Sequence, residues 1–285
     1  MSDKTDSTNA QSFYRAFEDR HRGSRELIRK RLEQYLSFIK PLNRIYPEGL
    51  AIDLGCGRGE WLEVAKSAGF RVCGVDKDQG MLDACAEHGL VAKQADALAY
   101  LVDQPSGSAC IVSAFHMIEH ISFDVLQAIV QEALRVLVPG GFLILETPNP
   151  ENILVATLNF YLDPSHIRPI PPLLLEFLIE FVGYARRKIV RLQENPDLRN
   201  ADKIGIMDIL SGPSPDYAIV AQKKAPKKLM NRFNKVFELC QGLTGFELYR
   251  GYDKQSDAVI ANILDRINFL EKELAMLKGA QGGRG

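Results

Sequence analysis

Between residues 50 and 146, short apolar runs alternate with stretches of helical spacing. Leu50–Leu54, Arg71–Val75, Val91–Ala95, Ala109–Ala114 and Phe142–Glu146 read as strands, because each is a run of four to six residues rich in apolar side chains. Glu60–Ala68, Gln79–His88 and Phe123–Leu137 read as helices. Ser122 is placed to cap the last of them, and Pro139-Gly140-Gly141 to close it. Strands separated by helices predict a parallel sheet joined by right-handed crossovers, an α/β doubly wound fold.

The pattern differs on either side. Phe13 to Ile39 predicts one or two helices with Leu27, Ile28, Leu32, Tyr35, Leu36 and Ile39 on one face, ended by Pro41 and Pro47. Beyond Glu146 come the turn Thr147-Pro148-Asn149-Pro150, an irregular stretch to Pro172 and a short apolar helix, Leu173–Val182. Lys188–Leu192 and Tyr217–Ala221 predict two more strands. The 193–215 connection is long for a hairpin and reads as a lid or an insertion. From Lys223 a basic cluster (Lys223, Lys224, Lys227, Lys228, Arg232, Lys235) interleaves with Leu229, Met230, Phe233, Val236 and Phe237. It reads as a solvated linker and helix, or as a contact for an anionic membrane surface. Ile260, Ile263, Ile267, Leu270, Leu274 and Leu277 then keep a/d spacing over fewer than three heptads, as in a short coiled coil joining copies of the chain or a lone helix packed on the body. The resulting division is a disordered tail (1–11), a helical cap (12–47), the α/β domain (48–224), a basic amphipathic segment (225–258), a coiled-coil helix (259–278) and a second tail (279–285).

Composition narrows the partners. At 285 residues and 46% hydrophobic, the chain can bury a substantial core. A formal net charge of −1 gives no global attraction to nucleic acid, and none is expected as a partner. Five scattered cysteines without a C-x-x-C pair suit a reducing cytosol, with the basic segment as the peripheral contact at the inner membrane. The first eleven residues are too polar for a secretory signal, and no apolar run reaches membrane-spanning length.

The strongest chemical signal is Ala51-Ile52-Asp53-Leu54-Gly55-Cys56-Gly57-Arg58-Gly59. A buried strand ends in an acid, three glycines alternate, and a helix begins at Glu60. Glycines let a turn take positive φ and let a ligand lie against bare backbone at a helix start. The dinucleotide fingerprint G-x-G-x-x-G/A fails in both registers, because Glu60 and Leu62 stand where it needs a small residue. The pattern D-x-G-x-G-x-G instead resembles the cofactor loop of class I S-adenosylmethionine (SAM) methyltransferases. That resemblance implies a Rossmann-like seven-stranded sheet with a helical cap and a helical C-terminal extension. It also implies SAM contacts from Asp53, Gly55, Cys56, Gly57 and Gly59, a ribose contact from Asp76, and an adenine contact from Asp96 with Ala97 and Phe115 beside it. The N-terminal helix would lie over the pocket, where Arg15, Arg22 or Arg25 could pair with the SAM carboxylate or with a phosphate on the acceptor.

The fourth strand runs into Phe115-His116-Met117-Ile118-Glu119-His120, at the strand end where a methyl group would be presented. His116, Glu119 and His120, joined by His166, are the candidate catalytic groups. The Ile-Glu-His core resembles a segment of the ubiquinone-pathway O-methyltransferases and small-RNA 2′-O-methyltransferases, which hold a divalent cation with a Glu, a Glu-His and a distant His. Here His116 stands in place of the first Glu. Two mechanisms follow: a metal-free histidine base, or a Mg²⁺ or Mn²⁺ held by His116, Glu119, His120 and His166.

Phe13 to Glu26 and Leu145 to Asn152, running on to Phe160–Pro169, resemble methyltransferases of O-antigen and polysaccharide biosynthesis, including the chain-terminating group. This implies O-methylation of a sugar hydroxyl on a surface polysaccharide or its lipid-linked precursor. A quinone-like small molecule is the alternative acceptor. A non-catalytic scaffold acting through the C-terminal helices is the alternative of another class.

Overall fold

The computed structural model describes residues 23–201, 203–239 and 242–282, with side chains as far as Lys278. The expected first tail, Arg15, Arg22 and Cys240 lie outside the described residues, whereas the second expected tail, 279–285, begins inside a helix that runs to Gly282. The elements follow in chain order. Helix α1 (Arg25–Leu32) leads through a 3₁₀ turn to α2 (Leu36–Asn43). Then come β1 (Leu50–Leu54), α3 (Glu60–Ser67), β2 (Arg71–Asp76), α4 (Gln79–Glu87), β3 (Ala92–Gln94), α5 (Ala97–Val102), β4 (Ala109–Phe115), α6 (Phe123–Val136) and β5 (Leu137–Pro148). After β5 follow α7 (Ile153–Thr157), α8 (Pro172–Val182), β6 (Arg186–Leu192), α9 (Ile206–Ser211), β7 (Asp216–Gln222), the short α10 (Lys227–Met230) and α11 (Asn234–Glu238), and a 38-residue α12 (Gly245–Gly282).

The seven strands form one sheet of order β3-β2-β1-β4-β5-β7-β6. Only β7 runs antiparallel to its neighbours. The chain winds outward from β1 to β3, returns across β1 to β4 and winds the other way. The strand order therefore reverses between β1 and β4, and a crevice opens above their carboxyl ends, where such sheets bind ligands. Apolar layers cover both faces. On one, α5, α6 and α8 bury Leu101, Ile129 and Ile179. On the other, α1–α3 bury Leu32, Phe38 and Trp61. Each such side chain contributes about 1.5–3 kcal/mol on full burial.

Several expectations are corrected. Strand β5 starts at Leu137, so Pro139-Gly140-Gly141 does not stop the chain. The pairing shifts register between Ala109 and Ile111, and Gly140 takes φ 81°. Gly141 lies so close to β4 that a Cβ would sit 2.8 Å from the Cys110 carbonyl oxygen. Helix α2 passes through Pro41 to Asn43, held by fully buried Leu42. The basic segment after Lys223 keeps its basic face in solvent, with Lys224, Lys227, Lys228, Arg232 and Lys235 exposed. Its apolar side packs on the body: Phe233 and Val236 are buried, and Phe233 and Phe237 pack on Phe142. The 193–215 connection is an insertion bonded to the body, since Asn149 and Asn152 donate to the carbonyls of Ser214, Ser211 and Pro213. Among the described residues, no helix is long and apolar enough to cross a membrane.

Candidate active site

The crevice holds a cavity of about 980 Å³. That is the upper end of the ~300–1,000 Å³ range of ligand pockets, enough for a nucleoside-sized cofactor and part of a second molecule. One wall is the glycine loop. Gly55, Gly57 and Gly59 take φ of 64°, 51° and 84°, so all three adopt the left-handed conformation that side chains resist. Two of them line the cavity. Gly59 does not: it starts α3 over Leu90 and Cys85, with room for no side chain.

Carboxylates brace the loop. Asp53 ends β1 buried and accepts from Ser113 Oγ at 2.7 Å. Asp76 ends β2 and accepts from the Gly57 and Asp78 backbone N–H groups, both at 2.9 Å. Asp96 caps α5 by accepting from Leu98 and Ala99, and its pair with Lys77 at 2.8 Å holds it below the usual carboxylate range. Asp53, Cys56, Asp76, Asp96, Ala97 and Phe115 all line the cavity. Arg25 does not. Its guanidinium donates to the Arg58 carbonyl at 2.7 Å and pairs with Glu63 at 3.1 Å, and Arg31, nearly two turns along α1, lines the cavity instead.

The opposite wall carries the histidines, and their bonding separates them into two kinds. His116 follows β4 with φ 51° and exposes its side chain to the cleft. Its Nδ1 lies 3.3 Å from Glu119. Its Nε2 lies 3.5 Å from Glu146 and 3.9 Å from Asp216. Burial alone would lower its pKa, but the bonds to Glu119 and Glu146, with Asp216 beyond, carry it well above the ordinary value. These carboxylates favour the protonated form of His116. Glu146 also accepts from the Tyr35 hydroxyl, which burial and this carboxylate push well above its usual pKa. Asp216, desolvated and beside other acids, rises to about 6 while accepting from Gln193 at 2.8 Å.

His120 and His166 are placed differently. Burial lowers the pKa of His120. Its Nδ1 lies 2.9 Å from Ser165 Oγ, and Ser165 Oγ lies 2.6 Å from Asp163 Oδ1. An ionised carboxylate only accepts, so the serine proton goes to Asp163 and the serine oxygen must accept from His120 Nδ1–H. This leaves the lone pair on Nε2 of neutral His120. His166 Nδ1 lies 2.6 Å from the Phe160 carbonyl, which also only accepts, so its lone pair is on Nε2 as well. The two rings meet edge to face with centroids 4.6 Å apart. Behind them, buried Glu119 receives Thr147 Oγ1 at 2.9 Å on Oε2, while Oε1 faces His116 Nδ1 at 3.3 Å as an ion pair. Burial would raise Glu119, yet adjacent His116 holds its pKa below normal.

One ligand atom each from Glu119, His120 and His166 lies within 4.8 Å of the others. A carboxylate and two imidazoles are a donor set that suits a divalent cation, although here the Glu119 oxygens face Thr147 and His116. The structure does not bring His116 into that set. The site also contains groups that the sequence reading missed: Tyr35, Glu146, Asp163, Ser165, Gln193 and Asp216. Asp163-Pro164-Ser165-His166 was a visible signal for two of them, as an Asp-x-Ser turn beside a candidate histidine.

The methyltransferase-domain family model matches residues 20–204, which include this loop and both walls. The chain belongs to the SAM-dependent methyltransferase family. Among solved structures, a SAM-dependent methyltransferase from Archaeoglobus fulgidus is 30% identical with a TM-score of 0.66, over 74% of this chain and all of that one. Among curated relatives, the tRNA (carboxymethyluridine(34)-5-O)-methyltransferase ALKBH8 of Macaca fascicularis is 37% identical over 108 residues. That match covers 37% of this chain and 15% of the relative. The ubiquinone biosynthesis O-methyltransferase of Methylococcus capsulatus is 31% identical over 104 residues, covering 35% of this chain and 43% of that protein. The chain thus spans less than half the length of either curated relative. The family implies SAM as the cofactor of the glycine-loop wall.

Proposed function

We propose that this protein transfers the SAM methyl group to a hydroxyl oxygen of an uncharged acceptor, a sugar of a surface polysaccharide or its lipid-linked precursor. The observation that carries the reading is the pair of histidines, His120 and His166, that line the same cavity as Gly55 and Gly57 with their Nδ1 atoms engaged by Ser165 and the Phe160 carbonyl. In the transfer, the acceptor oxygen bonds the methyl carbon as the carbon–sulfur bond breaks. The sulfonium leaves as a neutral thioether, and the hydroxyl proton passes to a histidine Nε2. Alignment of the two reactants in one cavity supplies much of the rate. If a divalent cation such as Mg²⁺ or Mn²⁺ binds, Glu119, His120 and His166 would hold it, and it would supply Lewis-acid polarisation of the acceptor oxygen.

Charge supports an uncharged acceptor. The cavity is lined by Asp53, Glu60, Asp76, Asp78, Asp96, Glu146, Asp163 and Asp216 against Arg31 and Lys77. That field attracts a sulfonium and repels polyanions. A second reading, a quinone-like phenol, is favoured by the match to the ubiquinone-pathway enzyme and by apolar Ile121, Val125 and Leu162 in the lining.

The test is S-adenosylhomocysteine release with mannose-containing oligosaccharides and with catechols as acceptors. His120→Ala and His166→Ala should each lower turnover by about 10²–10⁴, with SAM affinity by calorimetry unchanged. A chelator that stops turnover, with Mn²⁺ restoring it, selects the cation. A chelator without effect, and a rate that falls as His120 protonates, selects the free base. Full turnover in the double variant removes the reading.

A further inference from the structure

The last half of α12, as far as its side chains are described, is exposed throughout. The helix is anchored at its start, where Thr244 and Glu247 cap each other, Leu248 is buried, and Gln255 accepts from the Ile204 N–H. From Asp257 to Lys278 every residue is exposed. Yet Ile260, Ile263, Ile267, Leu270, Leu274 and Leu277 form one continuous apolar stripe, each 45–64% exposed. An isolated helix of this length is marginal in water, and helices gain most of their stability by packing an apolar face. This one presents such a face to solvent.

We propose that residues 259–278 pair with the same residues of a second copy as a parallel, two-stranded coiled coil. The flanking positions choose the partner. With Ile260, Ile267 and Leu274 at a, the g positions are Val259, Arg266 and Glu273, and the e positions are Leu264, Glu271 and Lys278. In a parallel pair each g residue meets the e residue five positions later on the other helix. The meetings are Val259 with Leu264, Arg266 with Glu271, and Glu273 with Lys278: one apolar contact and two opposite charges, each made twice. An antiparallel pair sets g against g and e against e. It would keep one charge match, Arg266 with Glu273, and set Leu264 against Glu271. Isoleucine at two of the three a positions, 260 and 267, and leucine at two of the three d positions, 270 and 277, favour two strands, against Ile263 at d and Leu274 at a. A membrane surface is a poorer partner, because within 259–278 Asp265, Glu271 and Glu273 balance Arg266, Lys272 and Lys278, where surface-binding helices are rich in Lys and Arg. The parallel arrangement puts both active sites at the same end of the stalk.

Sedimentation of the full chain tests this. The wild type should sediment with the mass of two chains, and Ile267→Asp with Leu270→Asp should reduce it to one while SAM binding, the control for folding, is unchanged. Arg266→Glu should weaken the dimer at least tenfold. Adding Glu271→Arg should restore it, because the swapped charges meet again in the parallel pair. A monomeric wild type, a trimer, or a dimer indifferent to the aspartates overturns the proposal. Rescue of Arg266→Glu by Glu273→Arg and not by Glu271→Arg overturns the parallel register.

Discussion

Ser165 is the group whose removal most directly tests how the acceptor wall works. Its hydroxyl bridges Asp163 and His120, with bonds of 2.6 and 2.9 Å. Ser165→Ala leaves His120 Nδ1–H without its acceptor and takes one donor from Asp163. An unpaired donor costs about 1–3 kcal/mol when buried. His120 is only partly buried, so water recovers some of this and about 1–2 kcal/mol remains. At 1.36 kcal/mol per factor of ten, that is a loss of roughly 5–30-fold in the fraction of rings holding their lone pair on Nε2. Long-range ¹H–¹⁵N correlation of the imidazoles reads the tautomer without any acceptor. Burial lowers the His120 pKa below 6.5, so the ring is neutral at pH 7.5. Wild type should show a protonated Nδ1 and a bare Nε2 at His120, identified by its loss in His120→Gln. Ser165→Ala should mix the two forms, and Ser165→Thr should preserve the wild-type pattern. A protonated Nε2 in wild type, or an unchanged pattern in Ser165→Ala, refutes the relay and with it the assignment of His120 as base or ligand.

Three further outcomes follow from the same geometry. Gly57→Val puts a branched side chain at φ 51°, where it is strained by about 1–3 kcal/mol, on the cofactor face of the loop; calorimetry should show SAM binding lost. Asp216→Asn should raise the melting temperature at pH 7.5 but not at pH 4. The folded pKa of about 6 lies above the ordinary 3.8, so the contribution of this carboxyl is favourable below 3.8 and is lost as pH rises through 6. Each kcal/mol relieved should appear as about 2–4 °C, and equal melting temperatures at both pH values would contradict the assignment. His116→Ala removes the cation from among Glu119, Glu146 and Asp216. Urea unfolding at pH 7 should show about 1–3 kcal/mol lost, after allowing for water in the cleft, and the loss should shrink in acid as the carboxyls protonate.

The frame of the domain was legible because it is written locally. The strand runs, the Ser122 cap and the glycine loop each depend on residues within one element, and all occur where the pattern puts them. The acceptor wall was legible only in part, because its bonds join distant elements. Tyr35 reaches Glu146 across 111 positions, and no periodicity links an N-terminal helix to the end of a fifth strand. Asp216 enters through the antiparallel β7, whose register with Pro148 sets it beside β5. The basic cluster after Lys223 was legible in its solvated charges but not in its packing, because the pocket that receives Phe233 is built by Phe142 from another element. Arg25 misled for a related reason. Its helix does cover the cavity, but the carboxylate of Glu63 and the carbonyl of Arg58 lie nearer than any ligand.

Three histidines on one wall do different work because their surroundings differ. His116 keeps the sheet pairing by donating its N–H to the Glu146 carbonyl at 3.0 Å, while its positive φ turns the side chain among three acids. A non-glycine residue in that conformation needs compensation, and the carboxylates provide it by charge. The same contacts that stabilise its proton remove it as a base at neutral pH. They also hold the Glu119 pKa below normal, so its carboxylate stays an acceptor for Thr147 beside His120 and His166. His120 is under the opposite influence: burial keeps it neutral and Ser165 fixes where its proton sits. Environments that push like groups apart in pKa are how one site holds both a permanent cation and a proton acceptor. His116, standing where related enzymes place a first Glu, therefore exchanges a negative ligand for a positive anchor. The histidines without such an acid cage in the cavity lining are His120 and His166.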